Sequence, residues 1–179
     1  NFLSTQAFSI LGLFGVHADA PKIDLALPLG ISFYTLQATS YIIDVYREKI
    51  SAEKNIAKVA LFVSFFPQII QGPIGRFNEL APQLFEGHRF DSTRVRHGLE
   101  LALWGIIKKL TIADYLSVVS TAVFGHYQDY QGFMIFLGAV FYGFQVYADF
   151  SGGMDIVRGA AQIFGVDLAV NFERPYFAC

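Results

Sequence analysis

Apolar residues run in long blocks along this chain, and charged ones gather between them. A helix that crosses a membrane needs roughly 20 mostly apolar residues at about 1.5 Å each. Leu25–Ile43 qualifies, with scattered Ser, Thr and Gln and no charge. Ala57–Ile70 is shorter and carries Pro67. Leu99–Phe124 is long but holds Lys108, Lys109 and Asp114 in its middle. Gly132–Phe150 is clean until Asp149, and Ile156–Val170 is short, with Arg158 and Asp167. The pattern predicts an all-α, polytopic integral membrane protein. With no repeat, low-complexity run or linker, residues 1–179 read as one helical body.

The charges predict a topology. Arg47, Glu48, Lys49, Glu53, Lys54 and Lys58 follow the first strong span, and Arg76, Arg89, Arg94 and Arg96 mark the most polar stretch. The positive-inside rule places both loops in the cytoplasm, which a single crossing between them forbids. Pro67, Gly72, Pro73 and Gly75 break that segment. A broken, re-entrant piece buried in protein returns to the same side; the rival is a true crossing with one basic loop outside. Further on, Leu99–Ile107 reads as a helix ending at an interface, with Lys108 and Lys109 snorkelling. Thr111–Phe124 is then expected as a separate helix.

Two polar stripes stand out. Tyr34, Gln37, Tyr41 and Asp44 share one helical face by their spacing. Lipid penalises such a face, so it is either a cavity wall or a set of interhelical hydrogen bonds. Tyr142, Gln145, Asp149 and Gly152 form the second. A central Asp costs roughly 2.5–3.5 kcal/mol to insert, so Asp149 is a functional candidate and is expected to face the interior. Ser151, Gly152 and Gly153 are expected to fray the helix and offer N–H donors to it. Asp155 is either part of the same path or the cap of a helix starting at Ile156. Asn171, before Pro175, reads as a residue bonding its own turn.

Composition strengthens the membrane reading. Of 179 residues 54% are hydrophobic and 16% charged, against about 25% charged in soluble domains. Mean hydropathy is +0.43. A net charge of −2 gives no footprint for nucleic acid. The single cysteine, Cys179, makes no internal disulfide and no metal cluster. The start at Asn1 shows no charged n-region or cleavage site of a signal peptide, and both ends read as cut. His17, His88, His97 and His126 all sit outside the strong apolar spans. No nucleophile elbow, nucleotide-binding glycine loop or metal-ligand set is present. The residues alone therefore point to no catalytic group.

Four blocks nevertheless resemble one family. Pro28-Leu29-Gly30-Ile31-Ser32-Phe33-Tyr34 with Ile43-Asp44-Val45-Tyr46-Arg47 is the first. Phe65-Phe66-Pro67-Gln68, Gly72-Pro73-Ile74 and Pro82-Gln83-Leu84 form the second. Gly105 with Lys108-Lys109 and Ile112-Ala113-Asp114 is the third. Tyr147 to Gly152, Asp155, Phe164-Gly165, Asn171-Phe172 and Pro175-Tyr176 form the fourth. Together, and in order, they resemble the bacterial membrane-bound O-acyltransferases of the alginate O-acetyltransferase type, with the teichoic acid D-alanyl transfer branch beside them.

The resemblance implies a helical ring around a central channel in the bacterial cytoplasmic membrane. It implies a cytoplasmic acyl donor, acyl-CoA or acyl carrier protein, as substrate rather than a bound cofactor. The acyl group, acetyl by the resemblance, passes to hydroxyls of an extracytoplasmic polysaccharide or carrier. An extracytoplasmic acyltransferase partner and membrane lipid complete the expected contacts. The family's catalytic histidine follows the fourth block in an Arg-Trp-His motif, so it is expected beyond Cys179 and no catalytic residue is assigned within the chain. Tyr142, Gln145, Asp149, Ser151, Asp155 and Asn171 are the substrate-path candidates, and Tyr34, Gln37, Tyr41 and Asp44 the cavity-wall candidates. Gly153 departs from the pattern, standing where a Tyr is common. Other classes compatible with the polar stripes are a transporter or flippase subunit and a non-catalytic membrane scaffold.

Overall fold

The computed structural model describes residues 30–69 and 71–172, and every regular element among them is helical. Helix α1 spans Ile31–Tyr46, α2 Ile56–Val63, α3 Phe66–Ile69 and α4 Phe77–Phe85. Helix α5 covers Ser92–Ile107 and passes through a π-helical turn, Lys108–Ala113, into α6, Asp114–Gly125. A 3-10 turn at Tyr127–Asp129 leads to α7, Gly132–Ile163.

Local chemistry sets the first boundaries. Gly30 enters α1 at φ 79°, and a Cβ there would lie 1.9 Å from the Ile69 carbonyl oxygen. Only glycine combines that dihedral with that approach. The predicted span Leu25–Ile43 is thus helical from Ile31, and its first five residues lie outside the described ones. Asn55 caps α2 by accepting from the Ala57 amide at 3.0 Å. Ser64 ends it, its hydroxyl donating back to the Ala60 carbonyl at 2.7 Å.

The segment from Ala57 to Ile70 is not one span. Eight residues of α2 reach only about 12 Å, against about 30 Å of hydrocarbon. The break falls at Ser64-Phe65, just ahead of Pro67, which α3 tolerates in its first turn. Two buried glutamines hold the broken piece. Gln37 donates to the Phe62 carbonyl at 2.8 Å and approaches Gln68 Oε1 at 3.4 Å, and Gln68 donates to the Pro73 carbonyl at 2.8 Å. Beside them Phe62, fully buried, packs edge-on against Phe77 with centroids 5.0 Å apart, and Tyr41 meets Phe77 in a tilted contact at 4.8 Å.

Helices α5 and α7 run antiparallel, as their glycines show. A Cβ on Gly98 would sit 2.7 Å from the Gly159 carbonyl oxygen, and one on Gly105 would sit 2.5 Å from that of Gly152. The reciprocal approaches, Gly159 to Gly98 and Gly152 to Gly105, are 2.4 and 2.8 Å. Glycines seven apart fall on one helical face, so each helix brings bare backbone to the other at two levels. Close contact of this kind is how small residues join helices in lipid.

Three sequence expectations change here. The lysines do not end a helix: Ser92 to Gly125 is continuous, and Lys108-Lys109 open its π turn. The Ser151-Gly152-Gly153 stretch does not fray, because α7 runs through it for 32 residues, about 48 Å. Asp155 caps nothing, since Ile156 continues α7. Gly132–Phe150 and the first part of Ile156–Val170 are therefore one helix, not two spans. Backbone-to-backbone packing at Gly105 and Gly152 supplies what single-sequence patterning omitted: a neighbour that keeps a glycine pair helical.

Helix α7 is long and apolar enough to cross a membrane, and only 11% of its most apolar stretch is buried inside the protein. Phe133, Phe136 and Phe144 on α7, Leu103 and Trp104 on α5, and Val118 on α6 are exposed. Apolar surface on this scale needs lipid or protein cover. The expected result is that the protein sediments with membranes and enters solution only with detergent; a monodisperse detergent-free monomer in size-exclusion chromatography would contradict this.

Candidate functional site

Charge gathers where the π turn meets α7. Adjacent helical side chains diverge by about 100° around the axis, so Lys108 and Lys109 reach α7 on either side of Gly152. Lys108 pairs with Asp155 and donates to Ser151 Oγ at 3.3 Å. Lys109 pairs with Asp149 at 2.9 Å. Asp155 Oδ1 also faces Arg158 Nη1, one turn on, at 3.5 Å. The side chains of Lys108, Asp155 and Arg158 are 15%, 16% and 23% exposed, those of Lys109 and Asp149 42% and 52%. The site thus has a half-buried cluster and a more open pair. Ser151 accepts from an ammonium already engaged by a carboxylate, an arrangement that polarises the hydroxyl but supplies no base.

The second stripe divides. Asp149, Ser151 and Asp155 belong to the charged site. Gln145 accepts from the Ser120 hydroxyl and joins α7 to α6. Tyr142 is exposed and meets Phe124 edge-on with centroids 6.0 Å apart. Asn171 lies with its amide 4.0 Å from Met154 Sδ, while the neighbouring Phe172 packs on Tyr147 and Phe150. Asp149 does not face the interior as expected: its side chain is 52% exposed, and Lys109 takes the place of the expected N–H donors, because the helix does not fray.

The first stripe lies elsewhere. Gln37 serves the α2–α3 break, and the Tyr41 hydroxyl accepts from the Glu53 amide at 2.9 Å. Asp44 sits 3.9 Å from Lys49, and Tyr34 is half-buried on α1. These contacts share no member with those of the α7 site, and of the four residues Gln37 bonds other helices. A Cβ on Gly153 would meet the Gln71 amide at 2.3 Å, so that amide fills the space beside the glycine. His88 bonds the Gln83 carbonyl at 2.6 Å and His97 lies 3.5 Å from Glu100, both away from α7's charged turn. Among the described residues no three His, Cys, Asp or Glu side chains converge as a metal requires.

Lys108, Lys109 and Arg158 were the residues missed. Their signal was charge balance: two lysines stranded in one apolar span, with two aspartates stranded in another.

No family model matches the chain. A probable alginate O-acetylase of Pseudomonas fluorescens is 40% identical over 152 residues, covering 85% of this chain and 30% of that protein. A probable alginate O-acetylase of Azotobacter vinelandii is 38% identical over 178 residues, 99% of this chain and 35% of that protein. The chain is a relative of the membrane-bound O-acyltransferases. A peptidoglycan O-acetyltransferase of Helicobacter pylori is also similar, 32% identical over 87% of this chain and 34% of that protein. The chain spans about a third of the length of these curated relatives. Seen from these acyltransferases, the four blocks pair off in space. Gly30 of the first meets Ile69, next to Gln68 of the second, and Lys108 and Lys109 of the third meet Asp155 and Asp149 of the fourth.

Proposed function

We propose that this chain works in O-acyl transfer across the bacterial cytoplasmic membrane, as part of a multi-pass helical ring around a channel. The acyl group, acetyl on this reading, comes from cytoplasmic acyl-CoA or acyl carrier protein. It goes to hydroxyls of an extracytoplasmic polysaccharide or carrier, with an extracytoplasmic acyltransferase as partner. The observation that carries this is the alignment of 99% of the chain with a probable alginate O-acetylase. The broken α2–α3 segment supports a re-entrant topology with both basic loops in the cytoplasm, where an anionic donor arrives. The base that activates the acceptor hydroxyl is, by family resemblance, a histidine beyond Cys179. Residues of this chain position and solvate instead. The half-open Lys109–Asp149 pair is the part of the charged site that a passing substrate reaches, and a preorganised charge of this kind stabilises a developing oxyanion.

Asp149→Asn in the full-length protein tests the reading. The pair is half-exposed and contributes under about 1 kcal/mol to stability, so melting temperature is expected to hold. Turnover, measured as acyl groups reaching the polymer, is expected to fall about three- to tenfold, since about 1.4 kcal/mol of lost stabilisation is tenfold in rate. Unchanged turnover at equal protein level would remove Asp149 from the path and leave it a packing residue.

A further inference from the structure

The chain leaves α7 by a tight turn and comes back along it. Gly165 closes the helix at φ 88°. Its amide donates to the Gln162 carbonyl and that of Val166 to the Ala161 carbonyl, both at 3.0 Å, a glycine cap that lets the chain reverse. Val166 joins the buried cluster of Phe62, Phe65 and Leu80. Further on, Asn171 reaches Met154, and Phe172 packs edge-on against Phe150 and Tyr147 with centroids 5.4 and 5.9 Å apart. Met154, Phe150 and Tyr147 share one face of α7 and step back towards its start. Residues 164–172 are thus a strap laid antiparallel to α7. It arrives at the turn that carries Asp149, the open partner of Lys109.

One side chain of α4 fixes where the strap lies. Gln83 accepts from the Asp167 amide through Oε1 at 2.8 Å and donates through Nε2 to the Asp167 carbonyl at 3.3 Å. Its Nε2 also donates to the Glu79 carbonyl at 3.1 Å. An amide that meets both polar atoms of one backbone residue copies the paired bonds of two strands. It therefore fixes register along the strap as well as distance from it. His88 bonds the Gln83 carbonyl at 2.6 Å, and its ring lies where a Cβ on Gly165 would come within 2.5 Å. Arg94 pairs with the Asp167 carboxylate at 2.7 Å and donates to the Gln162 carbonyl at 3.3 Å.

We propose that Gln83 is a positioning residue for acyl transfer. By holding the strap's register at Asp167, it sets where the chain arrives beside the Lys109–Asp149 pair. The inference rests on the acyl-transfer reading above. Gln83→Met in the full-length protein tests it, because methionine keeps the length of the side chain and loses both bonds. Hydrogen–deuterium exchange of the peptide carrying Asp167 reads the clamp without reference to activity, and is expected to quicken about tenfold. The kcat per folded protein is expected to fall about three- to tenfold, with KM for the acyl donor unchanged. Gln83→Asn, the same amide one methylene short, is expected to do the same. Unchanged exchange in Gln83→Met would overturn the clamp. Quickened exchange with kcat intact, or an effect confined to KM, would overturn the positioning role. A wild type that transfers no acyl group would overturn the acyl-transfer reading and this role with it, while exchange still reads the strap.

Discussion

Gly152→Leu and Gly105→Leu are expected to lower the melting temperature of the detergent-solubilised protein by about 2–12 °C each. The side chain has nowhere to turn. At both positions the first added carbon meets the opposing carbonyl oxygen, at 2.8 and 2.5 Å, and the backbone cannot swing aside as a rotamer can. Overpacking of this kind costs about 1–3 kcal/mol, and 1 kcal/mol moves the melting temperature of a protein this size by about 2–4 °C. Helix propensity acts the other way, because Gly→Ala in a free helix gains up to about 1 kcal/mol. Gly143→Ala is therefore the contrast: its Cβ would meet nothing within 4 Å, and the variant is expected to hold or gain stability. Equal behaviour of Gly143→Ala and Gly152→Leu would show that α5 and α7 do not cross at these residues.

Asp155→Ala is expected to be more damaging, costing about 3–5 kcal/mol, because it strands Lys108 and Arg158 without their shared carboxylate. Much of that cost is the penalty of leaving charges unpaired, not the worth of the pair. The compensated variant Lys108→Met with Asp155→Leu should therefore recover part of the stability, since Arg158 still loses its carboxylate. Chemical denaturation in mixed micelles separates the two variants. If the double variant folds and its acyl transfer also persists, the cluster serves only packing.

Sequence patterning found apolar blocks correctly and their joints poorly. The break after α2 was legible because Pro67, Gly72 and Pro73 act on the local backbone. The continuity of α7 was not, because Gly152 and Gly153 look like breakers until α5 is seen packed on them. Lys108 and Lys109 looked like an interface for the same reason: a lysine in an apolar run has two physical solutions, water or a partner, and the partners lie 47 and 40 residues away. Gln37 was legible as polar and inward, but its role in holding a broken segment depended on the Phe62 carbonyl that the break exposes.

By itself, then, the sequence determined the helical class, the apolar surface and the kinship with membrane-bound O-acyltransferases, because composition, period and local breakers act through neighbours in the chain. Tertiary structure alone decided which glycines touch and which charges cancel. Lys108 finds Asp155 only because the Gly105–Gly152 approach sets the two helices in register. Contacts between distant residues depend on which helical faces meet, and that choice is made by packing.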